Sequence, residues 1–194
     1  CKSHFHDKPE LNAGNDVLLC KGGNVQLNAT GQGSFSWAPA ASLNNPNIRN
    51  PIASPETTTE YTVTLTDRFH CVNTDNVTVE VREQPVANAG PDQVLDFVFE
   101  TRMNAGALKQ NETGIWSVIE SEGRISSPNA PNSRVYDLSI EDNVFLWTVS
   151  NGVCPESSDT VHIWVNNLII PSLITPNRDG NNDFFVIKGL ETIG

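Results

Sequence analysis

A five-residue phrase occurs twice in this chain: Asn12-Ala13-Gly14-Asn15-Asp16 returns as Asn88-Ala89-Gly90-Pro91-Asp92, a spacing of 76 from residue 12 to residue 88. That period is long enough for one small domain and too long for a solenoid unit, so the fold has to be one that a chain can build twice in succession. The match extends beyond the phrase. Leu27-Asn28-Ala29 stands opposite Met103-Asn104-Ala105 at the same spacing, and Trp37 is answered by Trp116. Further on, Tyr61-Thr62-Val63-Thr64-Leu65-Thr66-Asp67 is answered by Phe145-Leu146-Trp147-Thr148-Val149-Ser150-Asn151, now at a spacing of 84 from residue 61 to residue 145. Asp75-Asn76-Val77-Thr78-Val79 meets Asp159-Thr160-Val161-His162-Ile163 in that register. The extra residues of the second copy fall around Lys109 to Gly114 and Ser121 to Arg124, which read as loops, where added length costs little.

Within each copy the apolar residues alternate. Val25, Leu27 and Ala29, then Tyr61, Val63 and Leu65, then Val77, Val79 and Val81 skip one position each time. Phe145, Trp147 and Val149, and Val161, Ile163 and Val165, do the same in the second copy. Period two predicts strands with one buried face, and no window carries a 3.6-residue period. Only 18% of the residues are charged, and Thr, Asn, Ser, Val, Gly and Pro supply the vocabulary of strands and turns. Lys21-Gly22-Gly23, Asn44-Asn45-Pro46, Ser127-Pro128-Asn129 and Ser150-Asn151-Gly152 punctuate the runs. The expectation is an all-β chain of two tandem immunoglobulin-like β-sandwich domains, spanning 9–84 and 85–166, with the beginning of a third β domain at 167–194. Residues 1–8 read as the end of a preceding segment.

Trp37 and Trp116, one in each copy, are expected to fill the space between the two sheets. A sugar-stacking role would need an indole facing solvent beside polar side chains, and core filling is favoured. Tyr61 has the position for a tyrosine corner, its hydroxyl bonded back to the chain, whereas Phe145 in the second copy has no hydroxyl.

The 12 lysines and arginines stand against 23 aspartates and glutamates, a net charge of −11. That balance repels phosphate and anionic lipid, which excludes nucleic acid as a partner. No stretch has the roughly 18 apolar residues of a transmembrane segment, and the first residues lack a signal-peptide pattern, so the chain reads as a mature piece of a longer protein. No sequence pattern for a nucleophile elbow, a zincin helix or a phosphate loop occurs, and the expectation is that the chain is not an enzyme.

Cys1, Cys20, Cys71 and Cys154 lack zinc spacing. Four cysteines allow three pairings and sequence does not choose among them, but Cys20 and Cys71 both fall in the first copy and are the favoured disulfide. Asp96 stands in the second copy where Cys20 stands in the first. His4, His6 and Asp7 form a dense group of ligand types that a solvated chain end explains. His70 and His162 are isolated in sequence. Asn28, Asn76 and Asn111 open Asn-x-Thr triplets, a pattern expected by chance in a chain so rich in both residues.

The last segment matches neither copy. Thr175-Pro176-Asn177-Arg178-Asp179-Gly180-Asn181-Asn182-Asp183-Phe184-Phe185, followed by Ile187-Lys188-Gly189-Leu190, resembles the opening of the gliding-motility-associated C-terminal domain, the type B sorting signal of type IX secretion substrates in Bacteroidota. The residues that carry the resemblance are Thr175, Pro176, Asn177, Asp179, Gly180, Asn182, Asp183 and Phe185. The two repeats resemble the Ig-like and PKD-like modules that precede this signal in cell-surface adhesins. The resemblance implies export across the outer membrane to the cell surface, with the type IX translocon and an outer-membrane partner β-barrel as partners. Asn177, Asp179, Asn181 and Asp183 also place oxygens at alternate positions, which suits calcium. A turn stitched by Asx hydrogen bonds accounts for the same residues and is favoured, because the spacing is not that of an EF-hand; otherwise no cofactor is expected.

Overall fold

A computed structural model of the chain describes residues 7–167. Among them are fifteen strands and no helix, so the period-two reading holds throughout. They divide into two compact units, one made of the residues up to Pro85 together with Asn151–Pro155, the other of Val86–Ser150 with the residues from Glu156.

The first unit contains β1 (Leu11–Asn12), β2 (Val17–Cys20), β3 (Val25–Gln26), β4 (Thr30–Gly31), β5 (Ser34–Ala38), β6 (Ile52–Ala53), β7 (Thr59–Thr66) and β8 (Val72–Arg82). Its main sheet runs β2-β8-β7-β5, with β2 parallel to β8 and the other pairs antiparallel. The short antiparallel pairs β3–β6 and β1–β4 complete it. Leu27, Ala29 and Ala53 share one core cluster with Trp37, Tyr61, Val63, Val77 and Val79. The second unit repeats this plan with β9 (Gln93–Asp96), β10 (Thr101–Arg102), β11 (Thr113–Glu120), β12 (Arg124–Ile125), β13 (Arg134–Tyr136), β14 (Glu141–Ser150) and β15 (Ser157–Asn166). Here β9-β15-β14-β11 is the main sheet, again with its first strand parallel to its last, and β10-β13-β12 is the other. Residues 109–112 and 121–123 are loops as expected, while Thr113, Gly114 and Arg124 open strands.

The repeated pentapeptide is the place where the first strand leaves one sheet and joins the other. Asn12 pairs with β4, and Val17 already pairs with β8. Each residue of the phrase has a structural task. The Asn12 Oδ1 accepts from Gly14 N at 2.7 Å, closing an Asx turn. Ala13 is buried, and its N donates to Asp75 Oδ2 at 2.7 Å. Gly14 takes a φ of +98°, where a side chain is strained. Asp16 Oδ1 accepts from Thr78 N at 2.8 Å. The second copy reproduces all of it: Gly90 N to Asn88 Oδ1 at 2.8 Å, Ala89 N to Asp159 Oδ2 at 2.8 Å, and His162 N to Asp92 Oδ1 at 2.9 Å. The phrase recurs because the crossover recurs.

Trp37 and Trp116 are buried core residues, each with the same anchors. The Trp37 indole donates to Ile48 O at 3.1 Å and that of Trp116 to Ala130 O at 3.2 Å. Their backbone amides donate to Pro46 O and Pro128 O, which covers part of the outer edges of β5 and β11. The cores are not copies. Trp116 packs on Trp147, ring centroids 4.9 Å apart, where Trp37 has Val63 as its cross-strand partner. Gly114 supplies the room, a Cβ there falling on Cζ2 and Cη2 of Trp147, whereas the first unit has Phe35 at that place.

Tyr61 is fully buried, but its hydroxyl bonds to Ser42 Oγ at 2.5 Å rather than to the backbone. The second unit, with Phe145, places its buried polar group two residues earlier. Asn143 Nδ2 donates to Ser139 O and Ile163 O at 2.8 and 3.1 Å, while its Oδ1 accepts from Ser121 Oγ at 2.6 Å and Ser139 N at 3.0 Å. Both ends of the buried Asn143 amide are thereby hydrogen-bonded.

The expected Cys20–Cys71 disulfide does not form. Cys20 is bonded to Cys154, and Cys71 is in a disulfide whose partner lies outside the described residues. The reason is strand register. Cys20 lies beside Arg82 at the end of β8, whereas Cys71 directly precedes its start. Eleven residues of extended chain separate those points, about 35 Å, against the 7 Å that a disulfide can bridge. Asn151–Pro155, between β14 and β15, belongs to the first unit, with Asn151 Nδ2 donating to Glu83 O at 2.8 Å. The expected span 85–166 is therefore interrupted.

Candidate interaction surface

The residues that the sequence singles out mostly prove to be structural or lie elsewhere. Thr175, Pro176, Asn177, Asp179, Gly180, Asn181, Asn182, Asp183 and Phe185 are outside the described residues, as are Cys1, His4 and His6. Trp37 and Trp116 are too deeply buried to meet a ligand. His70 is exposed in a tight turn at φ +61°, organised by Asp67, whose Oδ1 accepts from Phe69 N and Cys71 N at 2.8 Å. Asn28, Asn76 and Asn111 are exposed. Among the described residues no three His, Cys, Asp or Glu side chains are grouped to hold a metal ion.

What remains is on the outward faces of the second unit. On β10-β13-β12, Arg102 stands directly opposite Arg134, and Arg124 opposite Tyr136. Glu100 forms an ion pair with Arg134, and Asp137 lies 3.6 Å from Arg124, so carboxylates balance much of this basic face.

The main sheet presents a different set. Because Val161, Ile163 and Val165 point into the core, His162 and Trp164 must point outward. Trp164 is 46% exposed, alone among the four tryptophans. Its cross-strand partners are Asp142 on β14 and Val94 on β9. His162, isolated in sequence, is not isolated in space: its Nδ1 lies 2.8 Å from Asp142 Oδ2. That hydrogen bond raises the imidazole pKa above its ordinary 6.5, reinforced by the negative charges of Asp142, Asp92 and Glu120 and opposed by a smaller burial effect. The signal for this pair was the outward parity of β14 and β15, which becomes informative only with their register.

A histidine with a raised folded-state pKa contributes its pairing energy fully below pH 6.5 and loses it as pH rises through the folded value. Both side chains are half exposed, so solvent keeps the contribution below about 1 kcal/mol. In Asp142→Asn, the His162 midpoint followed by NMR is expected to fall toward its ordinary value, and this pH-dependent part of the stability to vanish. An unchanged midpoint would contradict the pairing.

No protein-family model matches the chain, and no curated protein matches it. Solved structures do. The crystal structure of DIP-gamma IG1+IG2 has 13% sequence identity, covers 83% of this chain and 99% of that one, and superposes with a TM-score of 0.52. The crystal structure of Dpr11 IG1 bound to DIP-gamma IG+IG2 gives 14% identity, 83% and 100% coverage and a TM-score of 0.52. The chain is a tandem of immunoglobulin-like domains. Likeness at this identity concerns the fold alone.

Proposed function

We propose that this chain is a non-catalytic stalk followed by an export address, the C-terminal region of a cell-surface adhesin delivered by a type IX secretion system. The observation that carries the stalk half is that the repeated residues serve the fold. The phrase at 12–16 and 88–92 latches a strand crossover, and the repeated tryptophans fill cores. A sequence that is repeated for its architecture is what a spacer requires. The address half rests on the resemblance of residues 175–190 to the type B sorting signal, whose partners would be the translocon and an outer-membrane β-barrel.

Deletion of 168–194 from the parent protein tests that half. Surface labelling of whole cells is expected to lose the truncated protein while an immunoblot finds it in the periplasm. Undiminished surface labelling would remove the address role and leave the two domains as described.

A further inference from the structure

Among the described residues, Trp164 is the one tryptophan that faces solvent, and it does so beside fixed polar groups. Trp164 is 46% exposed and borders Val94, itself 69% exposed. Asp142 is opposite it in register, and His162, two residues away on the same face, holds Asp142 Oδ2 at 2.8 Å. The His162 and Asp142 side chains retain 48% and 36% of their accessible surface. The other three tryptophans are buried, so nothing in the fold plan calls for an indole outside.

The first unit supplies an internal comparison. At the spacing of 84 that aligns the last strands, Trp164, His162 and Asp142 correspond to Glu80, Thr78 and Thr58. Leu18 pairs with Glu80 as Val94 pairs with Trp164. The same face of the same sheet thus exists in both units, and only the second carries a ring with a His–Asp pair beside it. A position that needed only to finish the sheet would not require that substitution.

We infer that Trp164, Asp142 and His162 form a subsite for a pyranose unit of a neutral or amine-bearing polysaccharide. The C–H face of the ring stacks on the indole, whose negative face also favours an ammonium group. The hydroxyls bond to the exposed edge of the His162–Asp142 pair, where a charge-assisted donor and the Oδ2 acceptor stand together, Asp142 Oδ1 being buried. Charge selects among sugars. Asp92 and Glu120 add negative potential around His162, and the chain as a whole is acidic, so uronate and sulfated polymers are repelled. The site lies on the exposed face of a sheet, which suits an extended polymer bound weakly at several units rather than an enclosed small molecule. This inference is independent of the export reading: loss of one leaves the other standing.

Tryptophan fluorescence of the whole chain reads the site directly, since Trp164 is the exposed one of the four. Titration with cellohexaose and with a chitosan hexamer is expected to give a saturable blue shift for at least one of them in the low-millimolar range. Trp164→Ala should abolish binding measured by calorimetry, with an unchanged thermal midpoint. Asp142→Asn should weaken it about tenfold, and polygalacturonate should give no response. The inference is overturned if neither neutral nor amine-bearing oligomer saturates, if Trp164→Ala binds as well as the parent, or if the acidic polymer is the one that binds.

Discussion

Gly114→Ala is expected to lower the stability of the second domain by about 3 kcal/mol, the upper end of what overpacking a core costs. The glycine lies on β11 against Trp147, and an added Cβ would sit on the Cζ2 and Cη2 atoms of the indole. The ring has no space to retreat. Trp147 is fully buried and packs on Trp116 with ring centroids 4.9 Å apart. The first domain solves the same geometry the other way round, with Phe35 in place of Gly114 and Val63 in place of Trp147. Trp147→Val alone should also destabilise, by about 3 kcal/mol, because it opens a cavity. Combined with Gly114→Ala it should cost clearly less than the sum, since the smaller residue makes room for the larger. Chemical denaturation of the two single variants and the double variant checks this. Strict additivity would show that the two positions do not share one volume.

The second large effect concerns the Cys20–Cys154 bond. It closes a loop spanning 134 positions, and the chain-entropy relation for that length gives about 5 kcal/mol. Measured disulfides tend to fall short of it, and about 4 kcal/mol is the expected loss in the Cys20→Ser, Cys154→Ser variant. The thermal midpoint of the first domain should drop by roughly 20 °C. Asn151–Pro155 then keeps the Asn151 Nδ2 hydrogen bond to Glu83 O at 2.8 Å, while the bond from Cys154 N to Asn151 Oδ1 at 2.9 Å shapes its own turn. Peptide mapping without reduction provides the direct check. A cross-linked pair containing Cys20 and Cys154 is expected, and a Cys20–Cys71 pair would refute the strand register described above.

The cysteines mark where sequence reading fails. Cys20 and Cys71 belong to one repeat, which makes them the pair that sequence favours. The parallel pairing of β2 with β8 sends them to opposite ends of a strand of eleven residues. No local pattern contains that information, because a parallel pairing joins segments about 60 positions apart. The same limit hid the His162–Asp142 pair, whose members are twenty positions apart and meet only through the register of β14 against β15. A sugar-facing tryptophan needs an indole in solvent beside polar side chains, which the repeated and buried Trp37 and Trp116 do not offer. Trp164 does, on the outward parity of a strand whose inward parity is the alternating run Val161, Ile163 and Val165.

The repeat, the strand content, the inward faces and the burial of Trp37 and Trp116 were decided by the order of residues alone, because alternation and turn chemistry act over a few neighbouring positions. Which cysteine meets which, why the Asn-Ala-Gly phrase recurs, how Gly114 and Trp147 exchange volume and which indole reaches solvent were decided by tertiary structure. Those outcomes depend on which strands lie side by side and in what register, and that is settled only when the sheets assemble and pack.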